Sequence, residues 1–213
     1  VWRGAELLGK KGVECPPLGV IADVHGDLEM LQAALEDLSK RNCQRVVCCG
    51  DLVGYGRFHE QVVQLVMERG IECVAGNWDQ WVSGEEGEQL GLSTESKAFL
   101  VGLPESLRLM VGDRDVFVGD GTPDNVLRNM EGALARYWLR ALQADVILTG
   151  HTHIPAMARF PEGLWGNPGA LWKAEKQAEA WVLDDKGQWV RDEKEGGGTY
   201  GVLDAERFEV CRL

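Results

Sequence analysis

Asp23 and His25, Asp51, Asn77, Asp120, His151 and His153 are residues whose types and spacing can do chemistry together. Carboxylate oxygens, imidazoles and one amide form the donor set that a pair of divalent ions requires to activate water against a phosphate ester. Singly, each has a plain alternative: Asp51 after Gly50 as a helix cap, Asn77 in a left-handed turn, His151 hydrogen-bonded in a core. Asp23 and His25 lie two apart, as do His151 and His153, so in an extended segment each pair projects to one side and can share an ion. Three of the chain's four histidines belong to these pairs.

The elements that must position them alternate. An apolar run from Leu18 to Ala22 predicts a strand stopping at Asp23, followed by a helix capped by Asp27 with Leu28, Leu31, Ala34, Leu35 and Leu38 at helical period. Arg45 to Cys49 predicts a second strand ending at Gly50 and Asp51, and His59 to Arg69 a second helix. Ile71 to Val74 predicts a third strand, ending at Gly76 and Asn77. This βαβαβ order implies a parallel sheet with helices on its faces, and polar residues just past the carboxyl ends of its strands fall where such sheets bind ligands. Trp78 to Pro104, with a helix from Thr94 to Val101, is expected as a small cap around residues 79–104. Leu107 to Val111 and Asp115 to Val118 predict a hairpin that delivers Asp120 at its exit. A helix from Glu131 to Leu142 and a strand from Asp145 to Leu148 then lead to Gly150 and His151. Short runs around Ala156 to Phe160, Ala180 to Leu183 and Tyr200 to Leu203 read as antiparallel, with a solvated, mobile loop from Asp184 to Gly198. The change from βα units to hairpins near residue 105 suggests two half-sheets packed face to face in one domain.

A chain of 213 residues with 45% hydrophobic content can bury one core, and its net charge of −12 disfavours long nucleic acid and anionic membrane as charge-driven partners. Positive charge for an anionic substrate would then come from bound metal ions. No stretch approaches about 18 apolar residues, and residues 1–17 read as an N-terminal extension without a signal-like segment. Six cysteines lacking paired metal-ligand spacing read as buried, reduced thiols. A cytoplasmic protein is expected.

Four motifs add a resemblance: Asp23-Val24-His25-Gly26-Asp27, Gly50-Asp51-Leu52-Val53-Gly54, Gly76-Asn77-Trp78-Asp79 and Gly150-His151-Thr152-His153, joined by the turn Asn167-Pro168-Gly169-Ala170. With them the chain resembles calcineurin-like metallophosphoesterases, particularly the small bacterial and archaeal phosphodiesterase branch, from Leu18 to about Leu213. The resemblance implies an α/β fold, a four-layer αββα sandwich of two packed mixed β-sheets. It also implies a metal-dependent phosphoric ester hydrolase acting on small phosphodiesters or nucleotides. Asp23, His25 and His153 would hold one ion and Asn77 and His151 the other, with Asp51 bridging. A bridging hydroxide would attack phosphorus in line, with Asp51 and Asn77 as the catalytic residues. Manganese is the favoured metal, with magnesium, iron, nickel or zinc as alternatives. The expected partner is a small phosphorylated substrate, and a homo-oligomer is compatible with the sequence.

Two positions depart from the family pattern. Trp78 stands where the family places a histidine that aids leaving-group departure, and an indole supplies no proton of useful acidity; Asp79 is then left to fix a loop. Asp120 stands where relatives place a second-metal histidine. A carboxylate there favours Mn²⁺ or Mg²⁺ over Zn²⁺. Its extra negative charge, within about 4 Å at an effective dielectric near 20, is worth up to ~4 kcal/mol against phosphate attraction. These departures motivate a rival expectation, a non-catalytic scaffold resembling the retromer subunit of this fold. A protein phosphatase is a weaker third reading.

Overall fold

The computed structural model describes residues 15–82, 84–172, 181–183, 189–191, 198–204 and 207–213. Its frame begins with β1 (Leu18–Ile21), buried at every position, then α1 (Leu28–Lys40), β2 (Arg45–Cys48), α2 (His59–Arg69) and β3 (Glu72–Cys73). The strands pair in parallel, Leu18 to Ile21 against Arg45 to Cys48 and Val47–Cys48 against Glu72–Cys73. The Asp27 side chain caps α1 by accepting the Met30 N–H at 3.1 Å, as its position predicts.

Three short helices follow: α3 (Asn77–Trp81), α4 (Glu85–Gln89) and α5 (Thr94–Val101), the last on its predicted bounds. Strands β4 (Ser106–Val111) and β5 (Arg114–Gly119) form the expected hairpin. After α6 (Gly132–Leu142) come β6 (Val146–Leu148), β7 (Ala156–Phe160), β8 (Gly163–Asn167), β9 (Trp181–Leu183), β10 (Trp189–Arg191), β11 (Thr199–Leu203) and β12 (Phe208–Arg212). The five-stranded sheets run β12-β11-β1-β2-β3 and β4-β5-β6-β8-β7, each mixing parallel and antiparallel pairs, while β9 and β10 form a two-stranded ribbon.

Alternation along the strands builds the layers. Val20 and Val47 of one sheet meet Val116, Val118, Val146, Leu148 and Leu164 of the other in the central core. On the far face of the first sheet, Ile21 and Cys48 pack with Leu31 and Leu38 of α1 and Val62, Val63 and Val66 of α2. Phe117, Ile147 and Trp165 do the same on the second sheet with Ala135 and Leu139 of α6. The αββα sandwich is therefore the architecture.

Some expectations need correction. Trp189–Arg191 is strand β10, inside the segment expected as a loop from Asp184 to Gly198, because it pairs with Trp181–Leu183; residues 184–188 and 192–197 lie outside the described residues. Strand β8, with two glycines in five residues, and the five-residue helices α3 and α4 carry too weak a signal to have been predicted, and β12 lies beyond the last predicted run and is placed by its pairing with β11. Five cysteines are buried and free, but Cys15 is exposed. In segment 79–104, α5 buries Leu100 in the outer core beside the α2 valines. Among the described residues no helix is long and apolar enough to cross a membrane.

One buried carboxylate ties the strand ends together. Asp79 Oδ1 accepts the N–H groups of Leu52 at 3.0 Å and Val53 at 3.3 Å, and Oδ2 accepts that of Gly76 at 3.0 Å. The loop after β2 is thus locked to the start of α3, which is the loop-fixing part expected of Asp79. Asp79→Ala would strand three buried amides, and we expect it to lower stability by about 3–5 kcal/mol in urea denaturation, with Asp79→Asn costing less.

Candidate metal centre

The strand ends converge between the sheets. Asp23 follows β1, Asp51 follows β2, Asn77 opens α3 beyond β3, Asp120 follows β5 and His151 and His153 follow β6. The loops continue the pairing of their strands: the Asp23 N–H donates to Gly50 O at 3.0 Å, His25 N–H to Asp51 O at 3.0 Å and Gly150 N–H to Asp120 O at 2.9 Å.

The backbone there is not extended, which corrects the geometry expected for the Asp23/His25 and His151/His153 pairs. Asp23, His25, Asp51, His151 and His153 all have left-handed φ, between 47° and 67°. Such conformations cost on the order of 1 kcal/mol or more each for residues bearing a Cβ, and persist only where neighbours over-determine them. The hydrogen bonds between loops do that, so each pair converges through a tight turn rather than by pleat alternation. Asn167 holds the last turn, its Nδ2 donating to Gly150 O at 2.7 Å and Thr152 Oγ1 at 3.1 Å. Two glycines clear the space: a Cβ on Gly76 would lie 2.1 Å from Asp51 Oδ1, and one on Gly54, at φ 145°, 2.3 Å from His25 Nδ1.

Two groups of side chains result, Asp23, His25 and His153, and Asp51, Asp120 and His151, each offering ligand atoms within 4.8 Å of one another. In the first, His25 Nδ1 lies 2.9 Å from Val53 O, a carbonyl that can only accept, so Nδ1 carries the proton and Nε2 presents its lone pair. That Nε2 is 2.9 Å from His153 Nε2 and 3.9 Å from both Asp23 Oδ1 and Asp51 Oδ2. In the second, His151 Nδ1 is 3.1 Å from Asn77 Oδ1 and 3.5 Å from Asp120 Oδ2. Asp51 therefore reaches both groups, and its Oδ1 accepts the Trp78 N–H at 2.9 Å. All seven sequence-predicted residues are brought together, Asp120 included. His59 is not among them; it packs on Gly26.

The electrostatics call for cations. Asp23, Asp51 and Asp120 are at most 2% exposed, and among the described residues no lysine or arginine nitrogen lies within 4.0 Å of them. Burial, then the charges of Asp120, Asp79 and Asp23, push the Asp51 carboxyl well above the usual carboxylate range, against the Trp78 amide. Burial, then Asp23 and Asp79, push Asp120 up likewise, with the Asn77 amide opposing. Burial lowers His25 to about 4, keeping a neutral imidazole. Asp23 Oδ2 and both Asp120 oxygens accept no hydrogen bond of ordinary geometry. Crowded carboxylates with open lone pairs beside imidazole nitrogens fit divalent metal ions in donor chemistry and in charge.

Sequence reasoning missed Tyr55 and Trp172, whose rings border His25. The available signal was position: Tyr55 lies between Gly54 and Gly56 directly after the second motif, and Trp172 two residues beyond Ala170.

One curated relative, an uncharacterised protein of Methanocaldococcus jannaschii, is 27% identical over 158 residues, 65% of this chain; the match spans 63% of that protein, less than two thirds of its length. A hypothetical protein of Pyrococcus horikoshii superposes with a TM-score of 0.70 at 17% identity, covering 92% of this chain and 87% of its own. A metallophosphoesterase of Sphaerobacter thermophilus gives 0.67 at 21%, covering 93% and 88%. Vacuolar protein sorting 29 of Entamoeba histolytica, solved with Zn²⁺, gives 0.54 at 17%, covering 92% and 98%. These likenesses establish the fold. The sequence pattern of the calcineurin-like phosphoesterase superfamily domain matches residues 17–186, and the chain belongs to that superfamily.

Proposed function

We propose that this protein hydrolyses small phosphodiesters or nucleotides with two divalent cations, manganese favoured. Asp23, His25 and His153 hold one ion, Asn77, Asp120 and His151 the other, and Asp51 lies between them. The observation that carries this reading is the pair of ligand groups, their carboxylates buried, linked through Asp51 with no lysine or arginine nitrogen within 4.0 Å of those carboxylates among the described residues. When bound, the ions supply Lewis acidity and an activated water. The protein orients them: Val53 fixes the His25 tautomer, the Trp78 amide aims Asp51, and Asn77 places its amide beside His151. Free buried thiols support a reducing, cytoplasmic setting.

Trp78 supplies no acidic proton, so the leaving group departs without a side-chain acid at that position and esters of acidic alcohols react best. The scaffold reading is weakened by the carboxylates themselves. A site without metal would retain three buried, mutually repelling acids at a cost to stability.

With Mn²⁺ added, the protein is expected to turn over bis(p-nitrophenyl) phosphate in a colorimetric assay, chelator to abolish that turnover and Asp51→Asn to reduce it to background; wild-type turnover no higher than that of Asp51→Asn would sink the reading. Trp78→His is expected to raise kcat on alkyl esters by up to about a hundredfold, the low end of what a positioned acid contributes, with a smaller gain on aryl esters. In thermal melts, Mn²⁺ at about a hundred times its Kd should add about 2.7 kcal/mol, or roughly 5–10 °C in Tm. Asp120→Asn should melt higher than wild type without metal and gain less from Mn²⁺; a fall in metal-free stability would argue that Asp120 has a purely structural part.

A further inference from the structure

Aromatic side chains that neither ligand group uses line one side of the first group. Tyr55 is 53% exposed, yet its ring centroid is 4.7 Å from that of His25 and 6.1 Å from that of His153. It stacks on Trp172, centroids 4.8 Å apart and planes 26° from parallel, and meets Trp78 edge-on, also at 4.8 Å. Trp172 is itself anchored to the site loop, its backbone N–H donating to Asp23 O at 3.1 Å. These contacts fix the Tyr55 ring while leaving more than half of its surface open.

A ring held this way is not explained by core formation, since burial would remove it from water. A planar apolar surface beside a cluster of polar metal donors has a particular complement: a ligand with an anionic group for the ions and a flat ring adjoining it. Stacking of such a ring depends on the π-face and tolerates different ring chemistries.

We propose that the Tyr55–Trp172 stack, flanked by Trp78, binds a planar aromatic group carried on the phosphoester, an aryl ring or a nucleobase, and so determines substrate class. This rests on the phosphoester reading above and adds to it a specificity surface outside the metal ligands.

The test is equilibrium binding to Mn²⁺-loaded protein, by calorimetry and tryptophan fluorescence, of methylphosphonate, phenylphosphonate and the phosphonate isostere of adenosine 5′-phosphate. We expect phenylphosphonate or the adenosine isostere to bind about five- to a hundredfold more tightly than methylphosphonate, with quenching of tryptophan emission. The tighter of the two aromatic ligands identifies the ring, aryl or nucleobase. The aromatic-to-methyl ratio should fall to within about twofold in Tyr55→Ala and persist in Tyr55→Phe. Tyr55→Leu, which keeps apolar bulk without a π-face, should behave like Tyr55→Ala and provides the same test should that variant fold poorly. Equal binding of methyl and aromatic phosphonates by wild type, or a ratio unmoved by Tyr55→Leu, overturns the aromatic surface and leaves the phosphoester reading standing. Failure of all three to bind overturns both.

Discussion

Four carboxylates, Asp23, Asp51, Asp79 and Asp120, are buried at the junction of the two sheets, at most 2% exposed. Like charges withdrawn from water cannot be left uncompensated. Asp79 is answered by three backbone amides, so it belongs to the scaffold. Asp23, Asp51 and Asp120 are faced by imidazoles, of which His25 is held neutral by burial. Much else in the region follows from housing those three: the left-handed turns that aim them, the glycines that clear space for them and the Asn167 bracket behind His151.

That constraint also explains how much was legible in the sequence. An acid directly after a short apolar run in a βα alternation has few reasons to be there, so Asp23, Asp51 and Asp120 and their strands could be placed from the chain alone. The turn conformations could not. Aspartate and histidine enter the left-handed region more readily than most residues, yet only a few per cent of non-glycine residues do so, and here hydrogen bonds between loops remote in sequence, such as His25 to Asp51 and Gly150 to Asp120, hold them there. Strand β8, with glycine at two of its five positions, has little side-chain pattern to read, yet it supplies Leu164 to the central core and Trp165 to the outer one. Tyr55 and Trp172 escaped because an aromatic residue after a motif says nothing of which ring it will meet.

The two departures from the family pattern have different physical standing. At Trp78 the backbone serves the site whatever the side chain, because its N–H aims Asp51 and Asp79 pins the turn around it. On the resemblance drawn from the sequence, tryptophan here takes the place of a histidine; these backbone contacts do not depend on which side chain is present, and the indole adds a ring that meets Tyr55.

Asp120 is the opposite case, since its effect lies wholly in its side chain. Its carboxylate sits against Gly50 with neither oxygen hydrogen-bonded in ordinary geometry, and burial and neighbouring acids oppose its charge. In a site losing its function, such a residue is the first that drift should neutralise, because almost any small uncharged replacement relieves repulsion. A carboxylate at this position, beside His151 and the glycine that makes room for it, is costly to keep charged unless a cation faces it. A compact divalent cation would answer that cost, and under the function proposed above Asp120 is an altered ligand rather than a sign of erosion.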